Sequence, residues 1–359
     1  MYTSPIVRLP SFELRAGALS DFSRISAPFG RSFCVIGGNR AMEQGLPRLK
    51  KALGPDQILL GAFPYGGQCT LEKARRLAES LPPCDFLVGM GGGKCIDTAK
   101  LCAHLLGRPL LSLPTLISNC APITALSVLY HEDVSFDRFE FYDAPPAFTL
   151  IDLSLCLTAP LSYFRAGMGD AMAKYPESTF SARGDRLGQA LDHMSLMGVT
   201  LSRTCWEPIL SFGQQAASDY SQGRASTAVE ICARSIILSA GLVSLLAHDN
   251  YNCSLAHSVC YGLQLLPGVE NRFLHGDLVA YGMLILLLVD GSEEEARRLR
   301  SFLVSIGMKV TLREMGIPLD PDYLAPALHE AVTGPDMAHI PYSITEDMVF
   351  SAMQLAEQL

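Results

Sequence analysis

Phe86-Leu87-Val88-Gly89-Met90-Gly91-Gly92-Gly93-Lys94-Cys95-Ile96-Asp97 is the stretch on which the fold turns. An apolar run of strand composition meets a glycine cluster, and helical material follows over residues 97–106. Glycines let the backbone turn sharply and bring its N–H groups close to a phosphate, and a helix N-terminus adds partial positive charge. A glycine cluster between strand and helix also serves as a plain tight turn, so both readings stand. Lys94, Asp97 and Lys100 extend the pattern to Gly-Gly-Gly-Lys-x-x-Asp-x-x-Lys. This places Asp97 near the first helical turn, where a carboxylate suits the dipole; simple capping is the competing reading.

Outward from this loop, strands and helices alternate. Upstream, Phe33-Cys34-Val35-Ile36 ends at Gly37-Gly38, helical residues 41–53 follow, and 56–60 read as a strand before the charged helix 70–80. Downstream, 110–113 is a fourth strand, 125–130 and 140–142 suggest an added hairpin, and Phe148–Asp152 a last strand. Strands separated by helices of this length imply a parallel sheet with crossover helices. Past about residue 155 the strand-like runs give way to long Ala-, Leu-, Ser- and Met-rich helical patterns. The expected organisation is an α/β domain over residues 1–160 and an all-helical domain over 161–359, with no internal repeat or low-complexity tract.

The chain has 359 residues, 49% hydrophobic and 18% charged, enough for two domains with large cores. A formal net charge of −8 argues against a general nucleic-acid binder and leaves room for a local basic pocket for an anionic cofactor. The apolar stretch 283–289 is far short of the roughly 20 residues that span a bilayer, and residues 1–8 lack a secretory pattern. The 11 cysteines are scattered, odd in number and free of CxxC spacing, which suggests reduced thiols in a cytoplasmic protein, most of them acting as small apolar residues.

Three residues suggest a metal. Arg165-Ala166-Gly167-Met168-Gly169-Asp170 leads into a helix from about residue 171, His257 lies in an apolar helical run, and His275 opens another helix. One Asp and two His suit a borderline divalent ion with an open coordination position. The two histidines are 18 positions apart, so they come from different helices. Nothing local separates them from core histidines.

Taken together, Gly91-Gly92-Gly93-Lys94-x-x-Asp97-x-x-Lys100, Pro114-Thr115, Leu126-Ser127-Val128-Leu129-Tyr130, Ala166-Gly167-Met168-Gly169-Asp170 and His275-Gly276-x-x-Val279-Ala280 resemble the glycerol dehydrogenases of the iron-containing alcohol dehydrogenase superfamily, in matched order from about residue 30 to 285. The resemblance implies a dehydroquinate synthase-like fold, with an α/β nucleotide-binding domain, a helical metal-binding domain and the active site in the cleft. It places metal ligands on Asp170, His257 and His275, with zinc the expected ion. It places the pyrophosphate loop on Gly91, Gly92, Gly93, Lys94 and Asp97, and further cofactor contacts on Thr115, Ser118, Thr124, Leu126 and Tyr130. In the implied reaction the metal polarises a carbonyl and the nicotinamide carries the hydride. A small-molecule substrate and a homo-oligomer are expected, with no nucleic-acid or membrane partner.

Three departures bear on specificity. Glycerol dehydrogenases carry an Asp where this chain has Cys120, and a thiol cannot hold a second hydroxyl as a carboxylate does; filling space is its bland alternative. Lys174 stands four residues after Asp170 and so shares its helix face, where a cation suits a substrate carboxylate; a solvated lysine is the alternative. Together they resemble the hydroxycarboxylate dehydrogenase branch, so a 2-oxo acid/2-hydroxy acid pair is the expected substrate and glycerol or another polyol the alternative. Finally, Val35-Ile36-Gly37-Gly38-Asn39-Arg40 lacks the carboxylate that holds ribose hydroxyls and selects NAD. Gly38 leaves room and Arg40 can meet a phosphate, so NADP is expected to be accepted and preferred over NAD; an arginine that only caps or solvates the helix start is the alternative. A dehydroquinate synthase-like lyase would show a glutamate ligand and more basic residues, and a non-catalytic relative would not keep the ligand set.

Overall fold

The computed structural model describes residues 7–132, 136–183, 191–247 and 249–359. The start of the secretory-signal reading, residues 1–6, lies outside them. The chain divides into two compact units: residues 1–160 with Gln222–Glu230, and Leu161–Ser221 with Ile231–Leu359. Nothing in the sequence pattern marked the short return of 222–230 to the first unit.

The first unit is built on β1 (Phe12–Arg15), β2 (Ser32–Gly37), β3 (Ile58–Pro64), β4 (Phe86–Gly91), β5 (Leu110–Pro114) and β8 (Phe148–Asp152), in the order β1-β8-β5-β4-β2-β3 with every pairing parallel. The strand reading at 56–60 sits two residues early, and β1 was not anticipated, being a four-residue edge strand half open to solvent. A separate antiparallel hairpin joins β6 (Leu126–Tyr130) and β7 (Phe136–Phe141).

Side chains alternate across the central strands as the two-residue pleat demands. Phe33, Val35, Phe86, Val88 and Met90 pack on one face with Leu49 of the helix Asn39–Lys51. Cys34, Ile36 and Leu87 pack on the other with Ala74, Ala78, Ala99 and Cys102 of the helices Leu71–Ser80 and Gly93–Leu106. All eleven cysteines are free thiols, and only Cys120 and Cys253 escape full burial. The strand order reverses at β2 and β4, whose connections leave to opposite faces. In open parallel sheets that reversal opens a crevice at the carboxyl ends of the strands. Here both glycine turns, Gly37-Gly38 and Gly91-Gly92-Gly93, lie there, and the Gly38 N–H donates to the Met90 carbonyl at 3.3 Å.

The second unit is helical throughout its described residues. Its frame is Leu161–Ala182, Arg203–Ser221, Leu255–Gln264, His275–Val289 and Pro321–Thr333. His275–Val289 lies buried between Leu161–Ala182 and Leu255–Gln264. The helical run Thr227–Leu246, which includes a π turn at Arg234–Ser239, is long and apolar enough to cross a membrane, although more than half of it is buried within the protein. The sequence reading saw only the shorter apolar stretch at 283–289. A buried core helix passes the same test of length and composition.

Candidate functional site

The glycine loop sits where its sequence reading put it, but the helix starts earlier. Gly92 is the N-cap of Gly93–Leu106 and brings no side chain to the first turn. The N–H groups of Gly93, Lys94 and Cys95 belong to that first turn, where no intrahelical acceptor exists. Such a terminus fits a pyrophosphate. Lys94 is exposed beside it, its Nζ 5.5 Å from the centre of the Tyr130 ring, so two expected cofactor residues meet. The Thr115 N–H closes the turn by donating to the Gly91 carbonyl at 3.1 Å. Ser118 and Leu126 are half-buried.

Asp97 is a correction. It falls in the second turn, neither capping the helix nor lining an open cradle, and is 6% exposed. Its Oδ1 pairs with Lys100 Nζ at 2.8 Å and its Oδ2 accepts from the Val128 N–H at 3.2 Å. Burial nonetheless raises its carboxyl above the usual range, against the pull of Lys100. Lys100 also donates to the carbonyls of Ala121 and Leu126 and to Thr124 Oγ1. Asp97, Lys100 and Thr124 therefore fasten β6 and the Cys120–Thr124 turn to the glycine-loop helix.

Gly38 caps Asn39–Lys51 without a side-chain bond, and Arg40 stands exposed in its first turn with no ion pair among the described residues. The Arg40 side chain does not cap the helix, and its exposed position is also that of an arginine that simply solvates the helix start.

The three expected metal ligands converge within the helical unit. Asp170 belongs inside Leu161–Ala182, ten residues earlier than the helix start expected near 171. The glycines misled that reading, since they serve close packing rather than a break. A Cβ on Gly169 would lie 2.5 Å from the Gly276 carbonyl oxygen, and one on Gly276 would overlap the Ala166 carbonyl. The two backbones touch, and Asp170 and His275 are brought side by side. His257 Nε2 and His275 Nε2 lie 3.5 and 3.7 Å from Asp170 Oδ1, and all three donor atoms lie within 4.8 Å of one another. A borderline divalent ion suits that donor set.

Each histidine turns its other nitrogen to the protein. His275 Nδ1 lies 3.4 Å from Cys260 Sγ. His257 Nδ1 lies 2.6 Å from Oε2 of Glu177, a fully buried residue the sequence reading passed over. Burial opposes a charge on His257, but Cys253, Glu177 and Asp170 outweigh it and hold the ring above its ordinary range. His275 is pushed down to about 4 by desolvation and by His257, although 43% of its side chain is open; the direction is that of a neutral ring with an accessible lone pair. Metal binding at such a site displaces protons.

Lys174 lies near this group but does not point freely into it. It is 6% exposed, and its Nζ donates to the backbone and side-chain oxygens of Asn252 at 3.0 and 2.9 Å, with Cys253 Sγ at 3.6 Å. The solvated alternative does not describe it. Cys120 is half-buried in the first unit.

The model of the iron-containing alcohol dehydrogenase family matches residues 10–152. Glycerol dehydrogenase of Thermotoga maritima is 30% identical over 82% of this chain and 80% of its own. Hydroxycarboxylate dehydrogenase A of Escherichia coli K12 is 30% identical over 79% of this chain and 77% of its own. The crystal structure of glycerol dehydrogenase from Schizosaccharomyces pombe shares the fold, with a TM-score of 0.88 at 23% identity over 99% of this chain and 91% of that one.

Proposed function

The chain belongs to the iron-containing alcohol dehydrogenase family, in its glycerol dehydrogenase-like branch, and on that premise we propose that it interconverts a small polyol or hydroxy-alcohol and its carbonyl partner, using a nicotinamide cofactor and one divalent metal. The convergence of Asp170, His257 and His275 carries this reading. A bound ion would act there as a Lewis acid on a hydroxyl or carbonyl oxygen, and a nicotinamide cofactor would carry the hydride. Asp170 brings the one negative charge of the donor set, and the two imidazoles bring neutral nitrogens. The first-turn N–H groups after Gly92 seat the cofactor's pyrophosphate, beside Lys94 and Tyr130. The ribose end meets Gly38 and Arg40, which present no carboxylate, so we expect both NAD and NADP to be used.

The substrate class departs from the sequence expectation. The 2-oxo acid reading leaned on Lys174 together with Cys120, and the Lys174 ammonium donates to Asn252. Glycerol dehydrogenases recur among the relatives, so the polyol reading comes first. The 2-oxo acid remains the second reading. It is favoured by Cys120, which offers no carboxylate for a second hydroxyl, and by the charge of Lys174 one helical turn from Asp170. The deciding experiment measures metal content and turnover on glycerol, 1,2-diols and 2-hydroxy acids with both cofactors. Turnover confined to 2-hydroxy acids would replace the polyol reading. His257→Ala and His275→Ala are expected to lose metal and turnover while staying folded; either variant retaining both would remove the metal assignment.

A further inference from the structure

Glu177 lies two helical turns beyond Asp170, on the same face of Leu161–Ala182 and fully buried. A buried carboxylate persists only when its lone pairs are taken by donors. Its Oε1 accepts from the N–H groups of Ser254 and His257 at 2.8 and 2.9 Å, and its Oε2 sits 2.6 Å from His257 Nδ1. Ser254 is the N-cap of Leu255–Gln264, and its own side chain makes no capping bond. The carboxylate thus takes the N-cap and third-residue N–H groups of a helix to which it does not belong. It fixes both the backbone and the ring of one residue.

We infer that Glu177 is the positioning residue of the metal seat, holding His257 as the Nδ1–H tautomer so that only Nε2 faces Asp170 and His275. The inference rests on the reading of those three residues as metal ligands. Glu177, Cys253 and His257 also bring their donor atoms within 4.8 Å of one another, but they do not form a second seat. Oε1 of Glu177 is taken by two backbone N–H groups and Oε2 by His257 Nδ1, and the Lys174 ammonium stands 3.6 Å from Cys253 Sγ. Two of the elements that make the seat are therefore tied by one side chain. The helix that supplies Asp170 also sets the aim of His257.

The test is zinc titration of the metal-free protein against a fluorescent chelator, wild type beside Glu177→Gln. Glutamine keeps the volume but cannot accept from both backbone N–H groups and from Nδ1–H at once. With its NH2 toward the ring, it drives the imidazole proton to Nε2 and blocks ligation. Zinc affinity should fall about 10–100-fold, the usual cost of losing such a partner, while helical circular dichroism is retained. Unchanged affinity would overturn the inference. A second measurement needs only the wild type, in case the variant fails to fold. With nitrogen-labelled histidine and an NMR-active cadmium isotope, the metal should couple to His257 Nε2 while the Nδ1 proton persists. Coupling to Nδ1 would refute the positioning role and leave the seat intact. A wild type that binds neither metal would overturn the seat itself.

Discussion

At the scale of single residues, charge and commitment matter more than residue type. Arg40 is exposed with no ion pair among the described residues, so its guanidinium is available to a ribose phosphate. A charge-assisted contact of this kind is worth about 1.5–3 kcal/mol. Arg40→Ala should therefore lower kcat/KM with NADP(H), relative to NAD(H), by roughly ten- to a hundredfold; an unchanged cofactor ratio in steady-state kinetics would clear Arg40 of any part in selection. Lys174 is the opposite case. Its removal leaves the Asn252 carbonyl short of a donor just before the His257 helix. Lys174→Met should weaken folding by about 1–3 kcal/mol and depress turnover of charged and neutral substrates alike. A KM rise confined to 2-hydroxy acids would restore the carboxylate role. The contrast marks what a sequence can tell. The spacing of Asp170 and Lys174 correctly put both on one face, but Asn252, 78 positions from Lys174, was out of reach of any local pattern. Glu177 was more accessible, since an Asp and a Glu seven residues apart share a helix face, and no weight was given to that spacing.

At the scale of elements, β2 and β4 beside the glycine loop were legible because each is an apolar run stopped by glycine, and pleat and burial agree there. The short edge strand β1 was not, because four residues with one buried side chain carry no periodic signal. The Ala-Gly-Met-Gly-Asp motif was visible but misplaced: glycine lowers helix propensity, and only the partner helix reveals why it is tolerated. Gly276 lets two helix backbones meet, with the Ala166 carbonyl where a Cβ would go. Backbone cannot swing aside as a side chain can. Gly276→Ala should therefore push His275–Val289 away from Leu161–Ala182, destabilise by about 1–3 kcal/mol or more, and loosen metal binding through the displaced His275. Chemical denaturation and chelator competition read the two effects. A variant with wild-type stability and affinity would show that the contact carries no strain.

At the scale of the molecule, the two proposed sites are of different kinds. The proposed cofactor loop of the α/β unit is nearly continuous in sequence, from Gly91 to Tyr130, so its candidates lie within one local pattern. The proposed metal seat draws on Asp170, His257 and His275, which meet only when three helices pack; the family resemblance, not the spacing, picked out its histidines. That difference has a thermodynamic consequence. An unfolded chain keeps these ligands apart, so a metal that binds the seat binds the folded state almost alone, and its binding energy becomes folding energy. At a free concentration one hundred times the dissociation constant, the gain is about 2.7 kcal/mol. For a unit of this size, each kcal/mol moves the midpoint by about 2–4 °C, so zinc should raise the calorimetric transition of the helical unit by roughly 5–10 °C over the chelator-treated protein. His275→Ala has two ligands left and should lose most of that shift. A wild-type transition indifferent to zinc, or a His275→Ala shift as large as that of the wild type, would mean that the three side chains are near one another without forming a seat.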